Sequence, residues 1–269
     1  MTLTLTPLPG IPLIRPGDDL ADIILAGLSK SQIKLEDGDI LALAQKIVSK
    51  SEGRWINLVT VSPSMKAIEM ATRSDKDPRQ VELILQESRE ILRVRPGTII
   101  VEHKLGFVCA NAGIDHSNVN PPLPSEDSPL PLAEAPGARA EDWVLLLPEN
   151  PDKSAAEIRR KLEAATGKRL GVMIIDSHGR AWRLGIVGTC IGLSGLPGLV
   201  DMRGNTDLFG YILRITLIAV ADELAAAASL VMGQAAEGTP VVHVRGFPYP
   251  LREGSLSELL RPREQDLFR

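Results

Sequence analysis

Short apolar or alternating runs recur along the 269-residue chain, separated by polar segments and turn-forming residues. Runs of this kind, bounded by Gly, Pro, Asn, Asp or Ser, are typical of strands. They occupy residues 2–6, 39–43, 98–101, 106–110, 143–147, 170–175 and 241–244. The pattern therefore predicts strands along the whole length of the chain.

Helical spacing of apolar residues appears between these strands. The predicted helices cover residues 18–28, 64–92 with a boundary at Pro78, 154–166 and 209–232. Four consecutive alanines in the last of them, residues 225–228, would allow another helix or a second subunit to approach closely. Helices that alternate with strands predict a mixed α/β architecture of the α+β class, and the chain length suits two intimately packed halves.

Four other segments are predicted to be irregular. Residues 7–12, rich in Pro and Gly, form a rigid loop whose backbone amides could approach a ligand. Residues 120–140 are predicted to be an exposed Pro-rich loop without a core of its own. In residues 185–198, Gly and small residues predict packing of backbone against backbone or against a ligand. Residues 247–269 are predicted to be a polar C-terminal tail.

Composition excludes several classes of partner. Aromatic residues make up 3% of the chain, too few for the stacking surfaces that bind single-stranded nucleic acid, and the net charge of −4 opposes phosphate-backbone binding. The N-terminus lacks the features of a signal peptide, and the most apolar stretch, residues 209–231, contains charged residues. Cys109 and Cys190 are expected to be buried free thiols. We therefore expect a soluble, cytoplasmic protein that binds neither nucleic acid nor membrane.

Two carboxylates stand out as candidates for chemistry. Asp176 directly follows the apolar run 170–175, and Asp115 lies in the polar loop 111–118. If they converge, they would form a hard oxygen site for Mg²⁺ or Mn²⁺, with waters and phosphate oxygens completing the shell. For either residue alone, a turn stabilised by side-chain to backbone hydrogen bonds is the simpler interpretation.

The other candidate groups are less specific. Neither a GxxxxGK[ST] loop nor a GxGxxG after a strand occurs, so a nucleotide would have to bind without either of these phosphate-binding loops. Lys46, Lys50 and Arg54 could pair with phosphates, although such a cluster is more often a solvated loop. The four histidines lack the spacing of a zinc site.

Seven ordered motifs together resemble one known family. They are LAQKIVSKSEGR (43–54), FVCANAGIDHSN (107–118), LLPENPD (146–152), IDSHGR (175–180), WRLG (182–185), DMRGNTDLFG (201–210) and VADELA (220–225). In this order they closely resemble the coenzyme F420-0:L-glutamate ligase family, in its stand-alone form, across residues 8–246. On this resemblance, residues 1–246 form the ligase fold, with a second subdomain expected near residues 100–185.

The resemblance implies an activity and its partners. GTP phosphorylates the terminal carboxylate of F420-0, and the amine of L-glutamate attacks the acyl phosphate to form an amide, with γ-linked additions in later cycles. Two divalent ions, Mg²⁺ or Mn²⁺, and a monovalent K⁺ are implied. So are a two-domain α+β fold and an intertwined homodimer.

The resemblance also assigns residues. Asp115 and Asp176 match ligands of the first divalent ion, while Ser177 and Gln234 match ligands of the second. Asp115, Asp176 and Lys50 are the expected catalytic residues. The positions that match nucleotide contacts are Leu8, Pro9, Gly10, Ile11, Gln45, Lys46, Lys50, Asn118, Met232, Gly233, Gln234, Glu237, Gly238 and Thr239.

Two alternatives from other functional classes stay open. One is a related nucleotide-dependent ligase that joins an amine to another carboxylate acceptor. The other is a nucleotide- or metal-binding module without turnover. The ligase hypothesis and both alternatives place a metal ion between Asp115 and Asp176. All three therefore require these two carboxylates to converge on one cavity.

Overall fold

The computed structural model describes residues 2–119 and 142–267. The predicted loop at 120–140 lies outside the described residues. The strands are β1 (Thr4–Pro7), β2 (Ile40–Ala44), β3 (Trp55–Asn57), β4 (Ser88–Arg95), β5 (Thr98–His103), β6 (Val108–Ala110), β7 (Trp143–Leu145), β8 (Gly171–Arg180), β9 (Arg183–Ser194), β10 (Val200–Asp201), β11 (Leu217–Ile218) and β12 (Val241–Arg245). The helices are α1 (Leu20–Lys30), α2 (Gln45–Ser51), α3 (Met65–Ser74), α4 (Pro78–Gln86), α5 (Pro151–Thr166) and α6 (Val220–Met232). The predicted mixed α/β class is confirmed.

A five-stranded sheet forms the centre of the molecule, in the order β1–β12–β2–β8–β9. Its middle pair, β2 and β8, is parallel, and the other pairs are antiparallel. The parallel register aligns Ala44, the last residue of β2, with Ile175, where the pairing of β8 with β2 ends. Because the carboxyl ends of parallel strands lie at one edge of a sheet, the next residues, Gln45 and Asp176, emerge side by side.

Both faces of this sheet are buried, which explains the nearly continuous apolar runs of β2 and β8. On one face, Leu41, Leu43, Val172 and Ile174 pack with helices α1 and α5. On the other, the alternate residues of the same strands pack beneath α6. The central strands are therefore rigid supports for whatever follows them.

Strand β9 contains a bulge that allows its glycines to contact helices on both faces of the sheet. Ile174 pairs with Gly192 and Ile175 pairs with Cys190, so one residue of β9 is left over between the two pairs. An extra residue shifts the alternation of side chains. As a result, Gly192 meets Pro151 at the start of α5, whereas Gly188 meets Ser229 and Ala225 on α6.

A second group of elements packs around its own apolar cluster. The three-stranded sheet β4–β5–β6, helices α3 and α4, and the short pair β3–β7 surround Val81, Ile84, Ile99 and Val101. The loop that follows β6 leaves this group and carries Asp115. The predicted division into two subdomains, with the second inserted near residues 100–185, stays a prediction.

Two helix predictions were wrong in part. Helix α4 ends at Gln86, and residues 88–92 belong to strand β4, which pairs with β5 through two register shifts. Helix α6 begins at Val220 rather than at 209. Ahead of it, the Asp207 carboxylate accepts hydrogen bonds from the backbone N–H groups of Phe209 and Tyr211, at 2.8 and 2.9 Å. Such side-chain to backbone bonds stabilise a turn in competition with a helix.

Residues 247–267, predicted as part of a polar tail, pack against the rest of the chain. Leu256 is buried, and Leu251 and Leu259 contact the apolar cluster beneath α6. The Glu258 carboxylate accepts hydrogen bonds from the N–H groups of Gly198 and Leu199, both at 3.1 Å.

Within the described residues, no helix combines the length and hydropathy that crossing a membrane requires.

A buried carboxylate ties the sheet together next to β2. Asp39 accepts hydrogen bonds from Nε2 of His243 at 2.9 Å and from Nε of Arg245 at 2.9 Å. Burial alone would raise the pKa of the Asp39 carboxyl, but the bonds from Arg245 and His243 lower it below its ordinary value. The folded-state pKa is therefore below the unfolded value of about 3.9.

This sign sets a pH dependence. Stability from a depressed carboxyl pKa is complete above the unfolded pKa and is lost as the pH falls through the folded one. Asp39→Asn is expected to lower the urea midpoint at pH 7, with the difference from wild type shrinking below about pH 4. Asp37→Asn, at an exposed position, is the matched control. A difference that stays constant from pH 7 to pH 3 would contradict this assignment.

Candidate active site

A cavity of about 1070 Å³ opens where β2 ends and β8 continues beyond its pairing with β2. Its wall combines the start of α2, the loop after β6, the end of β8, the loop after α6 and residues 11–15. These segments are far apart in sequence and meet because the parallel strands end at the same edge of the sheet. Most of the residues singled out from the sequence line this one cavity.

Asp115 reaches the cavity through an unusual turn. Asn111, Ala112 and Gly113, directly after β6, all have left-handed φ values of 52°, 53° and 65°. The chain is then fixed by two backbone hydrogen bonds between Asp115 and Leu145, each 3.0 Å. The Asn111 carboxamide accepts the N–H of Ile99 at 3.0 Å, which holds the turn against β5. A turn this constrained places the carboxylate accurately.

Both oxygens of the Asp115 carboxylate have partners from α2. Lys46 Nζ lies 2.7 Å from Oδ1, and Nε2 of Gln45 donates to Oδ2. Ser49 in turn donates to Oε1 of Gln45 at 2.8 Å. Burial raises the pKa of Asp115, Lys46 lowers it and the charge of Asp176 raises it, with a net upward shift. The negative charges of the two carboxylates therefore interact across the cavity.

Asp176 follows the last buried residue of β8 and is itself almost fully enclosed. Nε2 of His178 lies 3.0 Å from its Oδ2. Burial acts to raise the pKa of Asp176, but the hydrogen bond and charge of His178 lower it to below the ordinary value. Asp176 is thus held as a carboxylate, and its Oδ1 is distinct from the oxygen that His178 engages.

Helix α2 presents two lysines on one side. Lys46 and Lys50 are four residues apart and both line the cavity. Lys50 Nζ donates to the backbone oxygen of Asn118 at 2.6 Å and lies 6.0 Å from the centre of the Trp55 ring. Burial and the charge of Lys46 lower the pKa of Lys50. An anionic ligand between these two ammonium groups would relieve their repulsion.

Arg54, the third cation of the predicted cluster, points elsewhere. Its guanidinium donates to the backbone oxygen of Leu147 at 2.9 Å and pairs with Glu87 at 3.1 Å. It is not among the lining residues. Arg54 therefore does not contribute to this cavity as the predicted cluster would require, because a partly buried ion pair with Glu87 engages its guanidinium.

The loop after α6 closes the opposite wall. Ser177 donates to Oε1 of Gln234 at 2.9 Å, and Gln234 donates to Ser229 at 2.7 Å. Asn118 donates to the backbone oxygen of Ala235 at 2.9 Å, which links this loop to the Asp115 turn. The remaining lining residues that the sequence assigned here are Met232, Gly233, Glu237, Gly238 and Thr239.

The loop before α1 is only partly at the cavity. Ile11 lines it, but Pro9 and Gly10 do not, and the side chain of Leu8 is fully buried in the core. Leu8 is held there by its N–H, which donates to Val241 at 2.8 Å. The structure therefore does not bring Leu8, Pro9 and Gly10 to the cavity wall with the other assigned positions.

Comparison with known proteins identifies the family of the chain. Residues 10–246 match the family model described as F420-0:Gamma-glutamyl ligase. The chain belongs to this ligase family. It is 47% identical, over all of both chains, to the coenzyme F420:L-glutamate ligase of Methanothermobacter thermautotrophicus. The ligases of that name from Methanopyrus kandleri and Archaeoglobus fulgidus are 45% and 41% identical, and the alignments cover all of this chain and 98% and 97% of theirs.

The divalent ions that the resemblance to the ligase family implies fit the residues at this cavity. Within residues 2–119 and 142–267, no three His, Cys, Asp or Glu side chains are grouped closely enough to hold an ion alone. Mg²⁺ needs only one or two carboxylates when waters and substrate phosphates complete its shell. Asp115 and Asp176 supply two carboxylates, and Ser177 and Gln234 supply a hydroxyl and an amide oxygen. The donors are all oxygens, as a hard cation prefers.

Several cavity residues were missed by the sequence reasoning. His178 contacts Asp176, and its position two residues further along the same strand was an available signal. Trp55 and Arg15 come from distant segments, and no local pattern indicated them. Cys109 also lines the cavity, and both cysteines are buried free thiols, as predicted. Burial raises the pKa of Cys109 to about 12, so it is an uncharged wall residue.

Proposed function

We propose that this protein is a ligase of coenzyme F420 biosynthesis that joins L-glutamate to F420-0 through an amide bond at the expense of GTP. Family membership and the names of the full-length relatives support the acceptor and the amino acid. The convergence of Asp115 and Asp176 on one cavity that also contains Lys46 and Lys50 is the observation that supports nucleotide-dependent chemistry in this proposal. GTP, rather than another nucleotide, comes from the sequence resemblance.

The proposed reaction has two steps. The terminal phosphoryl group of GTP passes to the terminal carboxylate of F420-0, which gives an acyl phosphate and GDP. The amine of glutamate then attacks the acyl carbon, and the C–O bond breaks to release phosphate and a proton. Further γ-linked glutamates would be added by the same two steps on the new carboxylate.

The residues at the cavity have separate roles in this proposal. Asp115 and Asp176 would hold one divalent ion, and Ser177 and Gln234 a second. Such ions neutralise the charge that develops on phosphoryl oxygens. Lys46 and Lys50 would bind the anionic phosphates, and Lys50 would keep its charge near the transferred group. Asn118 links two walls of the cavity through its hydrogen bond to the backbone oxygen of Ala235, and the nucleotide would bind between these walls.

The direct test is a product assay. F420-0, GTP, Mn²⁺, K⁺ and L-glutamate are incubated with the full-length protein, and the acceptor is weighed by mass spectrometry. A product heavier by one or more glutamyl units supports the proposal, and omission of K⁺ tests the monovalent ion. Nucleotide hydrolysis that appears only with another carboxylate acceptor would favour a related ligase. Tight GTP and Mn²⁺ binding without any product would favour a binding module.

The nucleotide is tested in the same assay with ATP in place of GTP. A much higher kcat/KM with GTP is expected. Equal values for the two nucleotides would remove GTP from the proposal and leave the ligase reaction intact.

We further propose that the protein acts as a homodimer. Large apolar side chains are exposed at the tip of the β8–β9 hairpin and in the segment before α6. They include Leu184 at 99%, Leu208 at 97% and Phe209 at 93% exposure. Apolar surface of this kind marks an interface more often than free surface. Sedimentation analysis is expected to give a dimer, and Leu208→Asp is expected to shift it towards monomer. A wild-type monomer at assay concentration would contradict this.

The cytoplasmic location stays a prediction.

A further inference from the structure

Asp176 and His178 lie on one face of β8, two residues apart. Their backbones are fixed by pairing with β9, where Asp176 is opposite Thr189 and His178 is opposite Val187. Nε2 of His178 is 3.0 Å from Oδ2 of Asp176, and the two side chains are only 10% and 11% exposed. Because Asp176 is a carboxylate and can only accept, the imidazole must donate from Nε2.

The imidazole of His178 is held by a row of rings. Phe107 lies 5.2 Å from it, centre to centre, and stacks on His103 at 5.3 Å with an angle of 8° between the planes. His103 is fixed in turn by two hydrogen bonds. Its ring Nδ1 accepts the backbone N–H of Leu105 at 3.0 Å, and its backbone N–H donates to the backbone oxygen of Phe107 at 2.9 Å. The β5–β6 hairpin therefore clamps the ring that contacts Asp176.

The two carboxylates at the cavity are held in different ways. One oxygen of Asp115 accepts a hydrogen bond from the buried Gln45, and the other is paired with Lys46, a long and partly exposed side chain that can move away when a cation arrives. Asp176 is paired with an enclosed ring that has no such freedom. Hydrogen bonds that orient a ligating group in this way contribute to metal affinity.

We infer that His178 is the positioning residue of this site: it holds Oδ2 of Asp176 so that Oδ1 is left for a divalent ion. The inference rests on the proposed function, which supplies the ion. His178 itself contacts neither substrate nor metal and acts only through Asp176. A side chain that donates from the same place would replace it, and a side chain of similar size without a donor would not.

His178→Gln and His178→Met provide that comparison, because Gln can donate from its amide and Met, of similar length, cannot. The readout is Mn²⁺ binding to the full-length protein without nucleotide, followed by electron paramagnetic resonance of the free ion. His178→Met is expected to weaken binding about 10- to 100-fold. His178→Gln is expected to recover most of the affinity. His116→Gln, which removes the histidine beside Asp115 outside the lining residues, is the control and is expected to bind as wild type does.

Thermal midpoints separate positioning from folding. Equal Mn²⁺ affinity for the Gln and Met variants would overturn the inference, and so would a wild-type protein that binds no Mn²⁺. A wild type that binds Mn²⁺ but forms no glutamyl product would defeat the proposed function while the Gln–Met difference still supports positioning. If His178→Met does not fold, His178→Gln with wild-type affinity supports the inference and His178→Gln with greatly weakened affinity at an unchanged thermal midpoint overturns it.

Discussion

Asp176→Asn is expected to reduce kcat/KM for glutamyl transfer by about 10³-fold, equivalent to roughly 4 kcal/mol of transition-state stabilisation. The change removes one of the two charges that would hold the divalent ion, while Asn is the same size and still accepts the hydrogen bond of His178. The fold is expected to survive because the residue follows the buried part of β8 and the substitution removes an enclosed charge. The measurements are the product assay and the thermal midpoint.

Asp201→Asn is the matched control for this loss. Asp201 is also an aspartate on a strand, but it is exposed and pairs with Arg203 away from the cavity. Its variant is expected to have the activity of the wild type. If Asp176→Asn were as active as wild type with saturating Mn²⁺, Asp176 would have no part in the site, and the proposed metal would need other ligands.

The candidate site could be predicted from the sequence to the extent that its residues end apolar strands. Asp176 after the apolar run 170–175 and the polar residues after β2 fit that rule, since an α/β scaffold presents its ligands where such runs end. That β2 and β8 are parallel neighbours could not be read from local patterns, because strand pairing depends on contacts between segments far apart in sequence. The convergence of Asp115 and Asp176 had therefore to be assumed from the family resemblance.

The turn before Asp115 shows a second limit. Gly113 and Asn111 are residues that often adopt left-handed backbone conformations, and both do so here. Ala112 between them has the same conformation and gives no such signal. Only the surrounding contacts, including the pairing of Asp115 with Leu145, explain why the chain accepts this geometry.

The bulge in β9 was also hidden from the sequence. Residues 185–198 were predicted to pack backbone against backbone or against a ligand, and the first alternative holds at Gly188 and Gly192. The sequence could not indicate that the two glycines serve different helices on opposite faces, because the leftover residue between the paired positions is visible only in the register with β8. Small residues thus signalled close approach without identifying the partner.

Gly192→Ala is expected to lower the free energy of unfolding by about 3 kcal/mol, the upper part of the usual range for overpacking a core. A Cβ at this position would lie 2.3 Å from Cβ of Pro151 and 2.5 Å from its carbonyl carbon. Pro151 begins α5 and has little freedom to move, so the helix would have to shift away from the sheet. The measurement is the urea midpoint by circular dichroism.

Gly179→Ala, on the neighbouring strand β8, isolates the cause of this effect. Neither Gly179 nor Gly192 has a left-handed φ, so alanine adds no backbone strain at either position. A Cβ on Gly179 would meet nothing within 4 Å, and its variant is expected to keep the wild-type midpoint. Equal midpoints for the two variants would mean that α5 moves without cost. In that case the helix would not be the rigid wall that holds β9 and β8, and through β8 the carboxylate of Asp176, in place.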